Sequence, residues 1–387
     1  MSRIDEVIAE VDAAREAATR KFAAEVNMPL ADFRRHFDVV LELAAGDEPA
    51  VSFRVEPKDE RKNVPRPLVA APLVAAPIGG PAVDLIPDET PDVFAEINRA
   101  LAAAVHVVVP RGAVVDEPIT ITHTIPADGA LVCPRLVIEA GEDSEVTVVE
   151  RFVSDTGGPA LVLPVLQIGA GQAARVNYLG VNELSTDAWS IGHQQAVGGR
   201  DSATLLATVA LGGHYARVRT EARLSGDGGS TRQIALYFAG DSQMHDFRTI
   251  QDHDAPHTTS DLLFKGAVQG TARSVYTGLI RIRENAKGTA AYQTNRNLTL
   301  SEGAWAESVP NLDIETNDVK CSHASTVGPI DPDQRFYLES RGVRPDVAER
   351  LVVLGFFDEV LEQLPAAAVL GDLRARVAAK LDLGGDR

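Results

Sequence analysis

Residues 141–152 read GEDSEVTVVERF, and the same grammar returns as GQAARVNYLGV at 171–181, GRDSATLLATVA at 199–210 and GGSTRQIALYF at 228–238. In each, a glycine opens a short turn and an apolar strand follows. The opening residues Gly141, Gly171, Gly199 and Gly228 stand 30, 28 and 29 residues apart, and Gly270, Gly288 and Gly303 open similar turns less regularly. A recurrence in this range is the mark of a solenoid. The repeating unit here is a strand rather than a helix, which predicts stacked β-coils, each laying its inward Val, Leu and Ile on those of the next. Glycine is expected at the tight corners because it tolerates φ > 0. A β-sandwich also has short strands and frequent turns; the period favours the solenoid, and strand content alone leaves the sandwich open.

Working outward, the strand pattern runs over about 105–327, through HVVVP, ITITH, RLVIEA, TLLATVAL and LIRIR. On its N-terminal side, residues 1–104 read as a helical region with a Pro-rich connector. Ile4, Val7, Ile8, Val11, Ala14, Ala18 and Phe22 recur at helical spacing. Phe33, Phe37, Val40 and Leu41 suggest a second short helix, the stretch from Pro49 to Pro91 a loop or extended connector, and Pro91 to Ala104 a further short helix. On the C-terminal side, residues 328–387 read as a helical domain. Asp331-Pro332-Asp333-Gln334 is a helix start, with an acceptor at the cap and proline at the first helical position. Gly342 ends that helix, Pro345 starts another, and Leu370, Leu373, Val377 and Leu381 line a last one.

The 387 residues are 45% hydrophobic but only 5% aromatic, so the core is built mainly from Val, Leu, Ile and Ala. A formal charge of −18 repels phosphate backbones and anionic lipid, which argues against nucleic-acid and membrane partners. The opening MSRIDEVIAEVDAAREAATR is charged throughout and carries no apolar signal segment. Two cysteines, Cys133 and Cys321, make no disulfide framework. The expectation is a soluble, reduced, cytoplasmic protein. No G-x-x-x-x-G-K-[ST], strand-borne G-x-S-x-G or H-E-x-x-H occurs, so P-loop, serine-hydrolase and zincin chemistry have no foothold.

One stretch carries a candidate ligand pair. In DVKCSHASTVG, at 318–328, Cys321 and His323 lie two residues apart. On a strand they share a face, their backbones about 7 Å apart by strand rise. Thiolate and imidazole suit Fe, Zn or Cu(I). Two ligands are too few for a closed site, so a partner chain or an inorganic cluster with its own sulfide must complete it. Against this, a lone Cys is more often a small buried apolar residue, and a C-x-H pair lacks the spacing of a complete zinc site. His245, His253 and His257 read as coil-edge or interface polar residues, since Pro256 interrupts a helical metal pair. Lys265 and Arg273 read as surface or interface charges, and Cys133 as a core or turn residue.

The stretches HTTSDLLFKGAVQGTARSVYTGLIRI, YQTNRNLTLSEGAWAESVPNLDIETNDVKCSHASTVGPID and QRFYLESRGVRPDVAERLVVLGFFDEVLEQLP carry a family resemblance. Together with VVVPRGAVVDEPITI upstream, they resemble the SufB/SufD family of iron–sulfur cluster assembly proteins over roughly Val105 to Pro365. Ala304 stands where SufB-like chains carry a cysteine, and the Cys-Ser-His of the next strand is SufD-like. The resemblance implies a right-handed parallel β-helix between helical terminal domains. It implies a non-catalytic scaffold that pairs with a SufB-like chain through the β-helix and binds a SufC-like ATPase through the C-terminal helices. His323, and with weaker support Cys321, would face iron or a nascent iron–sulfur cluster at the SufB–SufD junction. The resemblance also admits reduced flavin and a homodimer acting as an iron carrier. A β-helix enzyme acting on polysaccharide is the rival from another class.

Overall fold

The computed structural model describes residues 37–44, 50–57, 92–102, 104–126, 129–155 and 157–384. The helix expected from Ile4 to Phe22 lies outside them. The described chain is a parallel β-solenoid with strands in two sheets. One sheet is opened by β1 (Phe37–Ala44) and β2 (Ala50–Pro57) and continues through β3 (Ala104–Val109), β5 (Ala130–Val132), β6 (Arg135–Ala140), β8 (Ala160–Val162) and β9 (Val165–Ala170) to β11 (Ala188–Gly198), β13 (Tyr215–Leu224), β15 (Met244–His253), β17 (Arg273–Ile282) and β19 (Trp305–Ile314). The other holds β4 (Ile119–Ile125), β7 (Glu145–Ser154), β10 (Arg175–Glu183), β12 (Ala203–Ala210), β14 (Ser230–Ala239), β16 (Thr259–Val268), β18 (Thr289–Thr299) and β20 (Val319–Gly328), in that spatial order. Each turn adds one strand to this second, eight-stranded sheet, so the stack has eight turns. Pro134 and Pro164, which cannot donate to a ladder, interrupt the first sheet between β5 and β6 and between β8 and β9.

The register makes the repeat physical. Val148, Tyr178, Leu206, Gln233, Leu262, Gln293 and His323 are successive partners across seven strands and form one inward column. At the corner leading into this sheet, backbone amides climb a ladder of their own. Asp143 donates to Gln172 O at 2.9 Å, Ala173 to Arg200 O at 2.8 Å, Asp201 to Asp227 O at 2.9 Å and Gly288 to Asp318 O at 2.8 Å. These donors have φ between 54° and 72°. The expectation of glycine at left-handed corners therefore holds at Gly228, Gly270 and Gly288 but not at Gly141, Gly171, Gly199 and Gly303. After Gly141, Gly171 and Gly199 the left-handed residue stands two positions later, at Asp143, Ala173 and Asp201. Gly141 is small for another reason: a Cβ on it would sit 2.6 Å from the Arg111 nitrogen of the preceding turn. Gly226 is tighter still, at 2.0 Å from the Arg200 nitrogen. Since backbone cannot step aside as a side-chain tip can, Gly226→Ala is expected to lower unfolding free energy by roughly 2–3 kcal/mol, read as a shifted denaturation midpoint at unchanged slope.

Two expectations for the N-terminal part are corrected. The Phe37–Leu41 stretch is not helical but the strand β1, and the stretch after Pro49 is not all loop, because Ala50–Pro57 pairs with it antiparallel as β2. FDVVLELA places Phe37, Val39, Leu41 and Leu43 at period two, a strand pattern that the spacing of Phe37, Val40 and Leu41 had masked. Helix α1 (Val93–Leu101) follows, capped by the Asp92 carboxylate, which accepts from the Phe94 and Ala95 amides. Its buried Asn98 donates to Pro134 O and Leu163 O and fastens it to the first sheet.

The C-terminal helices are α2 (Pro332–Ser340), α3 (Pro345–Leu361) and α4 (Ala367–Gly384). Although the chain leaves the stack at Gly328, α3 and α4 fold back over the outer face of the eight-stranded sheet. Val149, Leu179, Ala207, Ile234 and Leu236 on that face share one apolar core with Val353, Phe357, Val360, Leu373 and Val377. Buried on both faces, these strands read as near-continuous apolar runs. Lysines pin the helices down. Lys265, expected as a surface or interface charge, lies at the sheet–helix interface and is only 3% exposed: its Nζ donates to Phe356 O at 2.8 Å and to Glu359, and lies over the Phe356 ring. Lys380 of α4 reaches back to Leu211 O and Gln243.

Candidate functional site

A parallel stack buries its inward columns because each coil is covered by the next. Among the described residues the last coil, formed by β19 and β20, has no successor: there β19 pairs only with β17 and β20 only with β18. Cys321 is the register partner of Ala291, and His323 of Gln293; both partners are fully enclosed. Cys321 and His323 therefore share a face, as their spacing predicts; it is the inward one, at the level where that face opens to solvent. His323 is exposed. Cys321 is half-buried against Ile280, Ile282, Ala286 and Ala291. Burial pushes its thiol above the ordinary range, so the free side chain is a protonated thiol rather than an activated thiolate. A cation would have to displace that proton.

No group of three or more His, Cys, Asp or Glu side chains converges as a metal ion would need, among the described residues. The pair offers one soft and one borderline donor and leaves a coordination sphere incomplete. The coil that carries it exposes apolar side chains, Leu312, Ile314 and Val327 on the inward face and Trp305 and Val309 on the outer one, and β19 and β20 each present an unpaired edge, a template for pairing with another chain. Ala304 packs at the preceding corner beside Ala239, Val268 and Ala272. A second uncovered apolar surface lies on α2 and the start of α3, where Phe336 is 70% and Tyr337 59% exposed and Val347 and Leu351 stand open beside them.

The remaining sequence candidates are dispersed. His245 and His253 are not coil-edge residues; both are fully buried in the interior. The His253 ring is held between Thr258 and Ser260 hydroxyls, each 2.8 Å away. His257 faces solvent at a corner, 3.0 Å from Asp227, so the three do not meet. Arg273 is exposed and Cys133 half-buried. One interior group escaped sequence reading. The Glu150 carboxylate accepts from Tyr178 at 2.7 Å and lies 2.8 Å from the His123 imidazole, beside a cavity of about 30 Å³ lined also by Asn182, Gln194 and Thr208. That volume suits a water molecule. The only signal was a charged residue inside an apolar strand, VTVVERF.

The chain was compared with known proteins. The family described as SUF system FeS cluster assembly, SufBD core domain, matches residues 123–356. An iron–sulfur cluster assembly SufBD family protein of Mycobacterium bovis is 35% identical over 302 residues, covering 76% of this chain and 75% of its own. The iron–sulfur cluster assembly protein SufD of Escherichia coli is 29% identical over 301 residues, 76% of this chain and 71% of that one. SufD of Bacillus subtilis is 29% identical over 277 residues, 70% and 63% of the two chains.

Proposed function

Because the chain belongs to the SufBD family of iron–sulfur cluster assembly proteins, we propose that it is a SufD-type scaffold subunit that builds a cluster only together with a partner. One observation carries this reading: a donor pair on the inward face of an uncovered terminal coil, short of a full ligand set, on a coil that also exposes apolar side chains. A SufB-like chain laid against the edges of β19 and β20 would supply the missing donors and cover Trp305, Val309 and Val327. His323 is then the principal ligand for the iron or the nascent cluster, and Cys321 the secondary one. Iron and sulfide are cargo here, not a resident cofactor. We take the coil as right-handed, as connections between parallel strands are.

The exposed patch around Phe336, Tyr337, Val347 and Leu351 is the surface we assign to a SufC-like ATPase. This chain contributes no ATP chemistry; hydrolysis belongs to that partner. The helices α3 and α4 share a core with the sheet, so a push on them would reach the strands directly and shift the SufB–SufD junction between closed and open arrangements. We place the assembly in the cytoplasm; no helix among the described residues is long and apolar enough to cross a membrane. Reduced flavin has no part in this reading. The rival of the same family is a homodimer carrying iron, in which a second copy covers the same edges.

Affinity capture of the tagged full-length chain from its own cells tests the assignment. The expected eluate contains a second β-solenoid chain and an ATPase. The double variant Phe336→Ser, Tyr337→Ser should lose the ATPase by at least tenfold and keep the solenoid chain, because a few central aromatic residues dominate such contacts. Recovery of this chain alone from wild-type extract would refute the heteromeric scaffold and leave the homodimer.

A further inference from the structure

Directly beneath His323 in the inward column stands Gln293, 1% exposed, its carboxamide oxygen and nitrogen both without a hydrogen-bond partner. Other amides of the interior are served. Asn295 donates to the Tyr237 hydroxyl at 2.9 Å and Asn297 to Asn295 Oδ1 at 2.7 Å. Gln233 and Gln251, deeper in the stack, each leave only the oxygen free. Among the described residues, Gln293 is the interior amide with neither end bonded.

The space around it is kept open. On the facing strand β17 stands Gly278, and a Cβ there would lie 2.3 Å from Gln293 Nε2. The glycine lets the amide extend across the lumen to the opposite sheet. One coil above, on β19, the Ser308 hydroxyl is also buried and unpartnered. It occupies the inward column of its strand, being the register partner of the buried Tyr276. Thus one unsatisfied polar group, Gln293, lies a coil below Cys321 and His323, and another, Ser308, lies on the inward column of the last coil itself. Buried polar groups are normally bonded, and exceptions call for a ligand or a function.

We propose that Gln293 is the floor of the terminal site: its carboxamide oxygen adds a third donor from this chain for a divalent transition cation held by His323 and Cys321, leaving the remaining positions to the partner. This rests on the scaffold reading above and extends it to ligands this chain itself provides. With no protein partner, the amide oxygen is open to an ion or to a water bound to it. An oxygen donor below and a nitrogen–sulfur pair above suit a borderline cation such as ferrous iron.

Titration of the full-length chain with Co²⁺ tests this, read by the visible band of low-coordinate cobalt and the near-ultraviolet thiolate charge-transfer band. Gln293→Leu and Gln293→Met keep the volume and remove the oxygen. Both are expected to weaken Co²⁺ binding at least tenfold, while the melting temperature rises because an unpaired buried amide has been replaced by an apolar group. Gln293→Glu, which keeps an oxygen donor, should bind at least as tightly as wild type. Wild-type affinity in the Leu and Met variants overturns the inference, even if they melt higher, for the amide is then only a packing defect. Glu binding no better than Leu overturns the oxygen's role. If His323→Ala also binds as wild type, or the wild-type chain takes up no Co²⁺, the terminal site itself is refuted. Loss in His323→Ala with none in Gln293→Leu removes the floor and leaves the scaffold reading standing.

Discussion

In the purified complex with its partners, His323→Ala is expected to slow cluster formation by roughly a hundredfold, the upper end of what is lost when even a supporting residue of a metal site is removed. Subunit association should be unchanged. The reason lies in the position of the side chain: it is exposed on the last coil and packs no core, so its loss leaves no cavity. Association would instead draw on the strand edges and on the apolar rim of Trp305, Val309, Leu312 and Val327. Cys321→Ser should cost less, roughly tenfold. Its thiol is pushed up by burial and must surrender a proton before it can bind, so part of any ligand gain is spent on ionisation. The measurement is the growth of cluster absorbance under fixed iron and sulfide supply, alongside the elution volume of the complex. Normal cluster growth in the His323 variant would remove the ligand assignment; a dissociated complex would make the residue an interface group instead.

How far such a site is legible in a sequence depends on what periodicity encodes. The inward column Val148, Tyr178, Leu206, Gln233, Leu262 is visible as strands recurring every 27 to 30 residues, because covering each coil with the next imposes the same constraint on every turn. Cys321 and His323 share a face by the period of two alone. That they stand where covering stops follows from the absence of a further strand after Gly328, which the helix start at Asp331 announces. Orientation was harder. MHDFRTIQDH alternates polar residues on both faces, so nothing local marks His245 and His253 as inward. Lys265 is hidden because the burying surface, α3, lies some ninety residues away in the chain. The corner glycines misled for a physical reason: Gly141 answers a neighbouring backbone and not its own φ. The polar floor at Gln293 has no sequence signature, since its meaning depends on Gly278 across the lumen.

The two enclosed histidines set a limit on the pH range in which the stack survives. Burial, with the Lys380 charge beside it, pushes His245 down to about 3; burial alone pushes His253 down to about 4, against a small opposing effect of Asp252. Both are neutral in the folded chain at neutral pH, whereas an unfolded histidine titrates near 6.5. Below that value the unfolded state binds protons that the folded state refuses, so stability falls as pH falls. Over the two units from pH 6.5 to 4.5 each histidine contributes a loss of about 2.2 kcal/mol, less than the full ~1.4 kcal/mol per unit because the unfolded ring is only half protonated at pH 6.5. Together they remove about 4.4 kcal/mol, comparable to the whole stability of a marginal domain. Carboxylates protonate mostly below this window, so the slope within it belongs to the histidines. Urea midpoints at a series of pH values should therefore decline steadily from pH 6.5 to 4.5. His245→Leu should halve that slope and leave stability at pH 7.5 within about 1 kcal/mol of wild type, because the polar contact the neutral ring gives up is a single one with the Gly212 backbone. A variant with the full wild-type slope would mean that His245 gains a proton without leaving the folded state, and that the interior around it is wetter than a closed stack of coils permits.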